Sequence, residues 1–194
     1  MPFVFLILLL LGGGAAAQDP FEGLSTPPPL YNQLQNSSLY VPMRDGVRLA
    51  VEVLLPKDLP ADTKIPAILR ITRYGRAPVN GSIPPADRFF AERGYARISV
   101  DERGTGASFG TVRYGKPTLG DMREIVDWVV KQPWSNGNVG AIGVSYEGTT
   151  SELLAATGHP AVKAVIPRFP DFDYYTDLIF PGGIFNDWFI RTWA

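Results

Sequence analysis

Residues 139–148 read Val139-Gly140-Ala141-Ile142-Gly143-Val144-Ser145-Tyr146-Glu147-Gly148. The run Val139–Val144 is short, apolar and strand-like, Tyr146–Thr157 is compatible with a helix, and the serine falls where one gives way to the other. A serine on so sharp a turn is held above the sheet edge with its hydroxyl exposed, and glycines on either side let the backbone pack closely around it. That is the logic of a nucleophile elbow. The competing reading of Ser145 is a helix N-cap, a position that serine favours. Against the spacing Gly-x-Ser-x-Gly the second glycine stands one place late, with Glu147 in its position. Spacing alone leaves both readings open.

Outward from this turn the same alternation repeats. Val162–Pro167 is again strand-like. Upstream, Met122, Ile125, Val126 and Val129 follow the i, i+3, i+4, i+7 spacing of one helical face within Leu119–Gln132. Pro133 stops that run, and Ser135-Asn136-Gly137 turns the chain. Earlier still, Ala67–Arg73 reads as a strand, Pro85–Arg93 as a helix closed by Gly94, and Tyr95–Val100 as a strand ending at Asp101. Leu39–Met43 and Val47–Leu55 flank the turn Arg44-Asp45-Gly46, and Val47, Leu49, Val51, Val53 and Leu55 alternate as in a half-buried hairpin strand. Repeated strand–helix units need crossover connections. They predict an α/β fold: a mostly parallel sheet with helices on both faces, entered through an antiparallel hairpin. Residues 18–38, with Pro27-Pro28-Pro29, read as an extended lead-in, so that order begins near Leu39, and residues 39–170 form the α/β part. From Asp171 to Ala194 the sequence turns aromatic and acidic, like an apolar insertion without its partner.

If Ser145 attacks a carbonyl, the oxyanion needs donors. One is the backbone N–H of the following residue, Tyr146. The other comes from the loop after an earlier strand, where Tyr74 follows Ala67–Arg73. A phenol hydroxyl at Tyr74 serves that purpose, and the alternative is an aromatic plug at a strand end. Asp101-Glu102-Arg103-Gly104-Thr105-Gly106-Ala107-Ser108-Phe109-Gly110 follows a strand, but its glycine spacing is one residue too long for a dinucleotide fingerprint. Thr111–Thr118, with Gly115 and Pro117, does not open a helix either. The segment is expected to be a structural turn fixed by pairing of Asp101 with Arg103. His159, in Gly158-His159-Pro160, follows the elbow too closely to be the base of a Ser–Asp/Glu–His order and reads as a loop histidine. Asn36-Ser37-Ser38 and Asn80-Gly81-Ser82 have the form of glycosylation sequons, which matter only in a host that glycosylates.

Composition narrows the chemistry. The 194 residues carry 18 basic and 19 acidic side chains, which leaves no electrostatic footprint for nucleic acid or for an anionic membrane surface. The absence of cysteine excludes disulfides, thiolate metal sites and a cysteine nucleophile, and one histidine excludes an imidazole-rich metal site. No cofactor or metal is expected. Residues 3–11 are continuously apolar, followed by Gly12-Gly13-Gly14 and Ala15-Ala16-Ala17, which reads as a secretory signal peptide over residues 1–17. The expected location is secreted or periplasmic, with no membrane association after cleavage and membrane anchoring if the leader is retained. Oligomeric state is not legible.

Together these segments resemble the Xaa-Pro dipeptidyl-peptidase-like serine hydrolases, the CocE/NonD group that includes the cocaine esterases and the α-amino acid ester hydrolases. Tyr40-Val41-Pro42-Met43-Arg44-Asp45-Gly46-Val47-Arg48-Leu49 is similar to the family's N-terminal hairpin, and Thr72-Arg73-Tyr74-Gly75-Arg76 to its oxyanion-tyrosine loop, with Arg73 where members often carry proline. Asp101 to Gly110 resembles its Asp-x-Arg-Gly-x-Gly-x-Ser-x-Gly signature. Trp128, Pro133 to Gly137 and Gly143 to Gly148 resemble its nucleophile segment, late glycine included. The resemblance implies an α/β-hydrolase fold, Ser145 as nucleophile, and the Tyr74 hydroxyl and Tyr146 N–H as oxyanion donors. It implies a small ester or amide, or a short peptide, as substrate. It also implies that this chain is the N-terminal part of such a hydrolase, that residues 171–194 begin a helical cap, and that the catalytic acid and histidine lie outside it. The chain alone is then expected to be inactive. The rival expectation is a secreted, non-catalytic binding module.

Overall fold

The computed structural model describes residues 25–111, 119–171 and 173–193. The leader over residues 1–17 and the first part of the lead-in lie outside them, as do residues 112–118. Six strands form one sheet: β1 (Leu34–Pro42), β2 (Arg48–Pro56), β3 (Ile65–Thr72), β4 (Ala96–Asp101), β5 (Ser135–Val144) and β6 (Val162–Arg168), in the order β1-β2-β4-β3-β5-β6. β1 pairs antiparallel with β2 and β2 antiparallel with β4, while β4, β3, β5 and β6 run parallel. The helices α1 (Pro85–Ala91), α2 (Leu119–Val130) and α3 (Tyr146–Ala156) are the crossovers between the parallel strands. This is the expected α/β architecture, hairpin included.

The central strand β4 shows how the layers form. Its apolar residues Ala96, Ile98 and Val100 join Met122, Ile125, Val126 and Val129 of α2 and Leu154 of α3 in one buried core. The alternate residues face α1. There Arg97 donates to Asp87 at 2.6 Å, and both side chains are nearly inaccessible. Burial pushes the Arg97 pKa down and the Asp87 carboxylate opposes that shift. One strand thus carries an apolar face and an ionic one, both buried.

Three expectations are corrected. First, the lead-in ends earlier than Leu39, because β1 begins at Leu34. Its polar residues hide the strand from a hydrophobic pattern, yet the Asn36 amide and the Ser38 hydroxyl both donate to the Glu52 carboxylate across the β1–β2 ladder. Ahead of it, the N–H groups of Leu30 and Tyr31 donate to the Glu92 carbonyl, docking the lead-in on the end of α1. Second, β2 is buried on both sides, since Ala50 and Leu54 are covered as well as Leu49, Val51 and Val53. Interior position between β1 and β4 overrides the alternation. Third, Ser135-Asn136-Gly137 does not precede β5 but bulges within it. Ile65 pairs with Ser135 and Ala67 with Val139, and Gly137 takes the positive φ of 81° that the bulge requires.

Beyond β6 the chain forms a π-helical turn at Tyr174–Ile179, a 3-10 turn at Pro181–Gly183 and the short helix α4 (Asp187–Trp193). None of their described residues is buried, and Trp188 and Tyr175 are largely exposed.

Candidate active site

Because β3, β4, β5 and β6 are parallel, the residues that follow them share one edge of the sheet, where α/β folds collect their ligands. Arg73 and Tyr74 follow β3, Glu102 follows β4, Ser145 follows β5 and Phe169 follows β6. His159 precedes β6 and so lies at the opposite edge. Its Nδ1 accepts from the Ala161 N–H at 3.0 Å, which leaves Nε2 to donate to Asp127 of α2 at 3.0 Å. The loop-histidine reading describes it.

Ser145 occupies the strand-to-helix turn with φ 57° and ψ −126°, a conformation that costs a non-glycine residue about 1–3 kcal/mol. Its surroundings enforce it. A Cβ at Gly143 would lie 2.2 Å from the Glu147 carbonyl oxygen, and one at Gly148 would lie 2.4 Å from that of Arg168. The displaced second glycine therefore has its own reason: α3 presses there against β6. The Ser145 N–H donates to the Arg168 carbonyl at 3.0 Å, and the Thr149 N–H donates to the Ser145 carbonyl at 2.9 Å, closing the first turn of α3. The Ser145 side chain is exposed and makes no capping bond, so capping does not account for the serine. As the first residue of α3, Tyr146 has a backbone N–H with no carbonyl of its own helix to bond.

Tyr74 stands beside this turn, about half exposed, with its phenol near enough to the Ser145 side chain to be influenced by it. A strand-end plug would be buried. Partial burial pushes the Tyr74 pKa up, as do the charges of Glu147 and Asp171, against Arg73 and the nearby Ser145 side chain. The phenol therefore keeps its proton at neutral pH and remains a donor. The ring meets that of Tyr146 edge-on, with centroids 5.9 Å apart. Tyr146 is itself buried; its hydroxyl donates to Glu102, and the Arg73 guanidinium lies 5.3 Å from its ring centroid. Burial and then the Glu102 carboxylate push the Tyr146 pKa far up. The three residues singled out from sequence, Ser145, Tyr74 and Tyr146, thus come together, joined by two that were not: Glu102 and Arg73. Glu102 was hidden in a segment read as a turn. The register Thr72 to Asp101 of β3 and β4, which brings residues 73 and 102 to one place, is not visible in the linear sequence.

The Asp101–Gly110 turn is structural, but not through the expected pair. Asp101 accepts from the N–H of Arg76 at 2.6 Å, from its guanidinium at 2.8 Å and from the Ala107 N–H at 2.9 Å. Arg103 instead donates twice to Asp121 of α2, both at 2.7 Å, and to Asp45 of the hairpin at 2.6 Å. Glycine at 106 is obligatory, since a Cβ there would lie 2.4 Å from the Asp101 carboxylate. An apolar cleft of about 300 Å³ lies elsewhere. Its apolar walls include Ile68, Phe90, Tyr95, Ile142, Ala164 and Ile166 and none of the residues above, so it is not the candidate site.

The sequence of residues 45–194 matches the X-Pro dipeptidyl-peptidase (S15 family) model. A protein of Mycobacterium bovis named as a proposed serine esterase is 44% identical over 94% of this chain, and the cocaine esterase of a Rhodococcus species is 34% identical over 81%. The chain spans only 32% and 28% of their respective lengths. Among solved structures, a CocE/NonD family hydrolase from Staphylococcus aureus superposes with a TM-score of 0.70 at 26% identity, covering 95% of this chain and 38% of that one. An α-amino acid ester hydrolase gives a TM-score of 0.66 at 29% identity, covering 86% of this chain and 30% of that one. With its sheet order, its helices and its sequence in agreement, the chain belongs to the X-Pro dipeptidyl-peptidase (S15) family of α/β hydrolases.

Proposed function

We propose that this chain supplies the nucleophile and oxyanion half of a serine hydrolase that cleaves small esters or the amide bonds of short peptides. Ser145 Oγ attacks the carbonyl carbon while a histidine takes its proton. The C=O electrons move onto oxygen, where the Tyr74 hydroxyl and the Tyr146 N–H receive them. Collapse expels the alcohol or amine, protonated by the imidazolium, and leaves an acyl-Ser145 that water hydrolyses. The base is expected from a part of the full-length protein outside these 194 residues, since His159 lies at the far edge of the sheet. Alone, the chain would be inactive. The observation that carries the reading is the exposed Ser145, held at φ 57° without a capping bond and with the Tyr74 phenol beside it. In the full-length protein, Ser145→Ala should lower kcat on 4-nitrophenyl acetate by on the order of 10⁶ with the melting temperature unchanged. Parental activity in that variant would remove Ser145 from the chemistry and favour a binding module.

Export is the companion proposal. It rests on the apolar run over residues 3–11 followed by small residues. Mature protein recovered from outside the cytoplasm should begin at Gln18, whereas an intact Met1 terminus on that protein would contradict cleavage.

A further inference from the structure

Glu102 has no part in the scheme above, yet it holds the residue that follows the nucleophile. Its own main chain is fixed: its N–H donates to the Thr72 carbonyl at 2.8 Å, and its carbonyl accepts from the Thr105 N–H at 2.9 Å and the Thr105 hydroxyl at 2.8 Å. Its carboxylate accepts the hydrogen bond of the Tyr146 phenol from a position 44 residues away in sequence. The Tyr146 ring is gripped between Arg73, the edge of Tyr74 and this carboxylate. A backbone at φ 57° relaxes unless the residues on both sides are restrained. On the N-terminal side Gly143 and the Ser145 N–H are pinned against α3 and β6; on the C-terminal side the Tyr146 side chain is the adjacent tether.

We propose that Glu102 is a positioning residue: by holding the Tyr146 phenol it keeps the Ser145–Tyr146 peptide in its strained orientation, with the N–H aimed at the oxyanion. The proposal rests on the serine-hydrolase reading above. Burial of Tyr146 supports it, because a phenol whose ionisation is suppressed stays a donor to Glu102 throughout the neutral range.

The test uses the full-length protein and 4-nitrophenyl acetate, with Glu102→Ala, Glu102→Gln, Tyr146→Phe and the double variant Glu102→Ala/Tyr146→Phe. Tyr146→Phe retains the backbone N–H and deletes only the tether. Loosening a donor costs less than removing one, so each single deletion should lower kcat about tenfold and leave KM within about twofold. The double variant should lose no more than either single one, because both break the same bond. Glu102→Gln, whose amide oxygen still accepts from the phenol, should recover most of kcat. Losses that multiply in the double variant, effects confined to KM, or parental kcat in Tyr146→Phe would overturn the proposal. Should Glu102→Ala fail to fold, Tyr146→Phe and Glu102→Gln decide it. Ser145→Ala in the same assay separates the two levels: if it stays active the underlying reading fails, and if it is dead while the tether variants are unimpaired only the positioning role fails.

Discussion

Two turns at the same edge of the sheet, 101–110 and 143–148, are both glycine-limited and both follow a parallel strand, yet they use their polar side chains in opposite ways. In the first, Asp101 is buried and accepts three hydrogen bonds, and Arg103 is divided between Asp45 and Asp121. In the second, the Ser145 hydroxyl is exposed and makes no capping bond. Saturation marks the structural turn, and an accessible hydroxyl on a strained backbone marks the one proposed for chemistry. Glycine patterns alone do not separate them.

The sharpest way to break this contrast is at Asp101, in the full-length protein. Asp101→Ala removes a buried carboxylate and deprives the Arg76 and Ala107 N–H groups of their acceptor and the Arg76 guanidinium of its nearest carboxylate, so it should cost about 3–5 kcal/mol of stability. Urea unfolding measures it, and a loss below about 1 kcal/mol would mean that the turn is not held by this network. Tyr74→Phe acts the other way, on rate and not on stability. Removal of one oxyanion donor should lower the acylation rate constant by about 10²–10³, roughly 2.7–4 kcal/mol, with little change in substrate binding. A loss of less than about threefold, roughly 0.65 kcal/mol, makes Tyr74 a packing residue.

A smaller effect of opposite sign is expected at the elbow. Ser145→Gly removes the Cβ that disfavours φ 57° and should raise stability by about 1 kcal/mol while abolishing activity. Destabilisation in thermal unfolding would show that the turn is not strained. The smallest effect concerns Asp45, whose pKa Arg103 holds below the ordinary 3.8. A depressed folded-state pKa means stability that is present above the unfolded value and lost as pH falls through the folded one. Melting curves of the parent and Asp45→Asn should therefore differ by a constant small amount above about pH 5 and converge as pH falls through the folded-state pKa. The Asp45 side chain is half exposed, so the difference is modest, and curves that stay parallel to the lowest pH would contradict the pairing.

The sheet was legible in the sequence wherever side-chain period and hydrophobicity agreed. The α2 stripe of Met122, Ile125, Val126 and Val129 is the buried face observed. It was illegible where polar residues build the ladder, as at Asn36 and Ser38, or where a bulge mimics a turn, as at Gly137. Arg103 was assigned the wrong partner because its partners, Asp45 and Asp121, come from other elements, whereas Asp101 lies only two residues away in sequence. Glu102 was missed for the same reason. Local spacing locates a strained serine, but the groups that hold it are gathered by strand order.

The central claim is that Ser145 is the attacking atom, and covalent capture tests it most directly. Incubation of the full-length protein with a fluorophosphonate should transfer the phosphonyl group to one oxygen per chain with release of fluoride, abolish activity, and place the adduct on Ser145 by peptide mass spectrometry. Inactivation with the adduct on another residue and Ser145 unmodified would contradict the account.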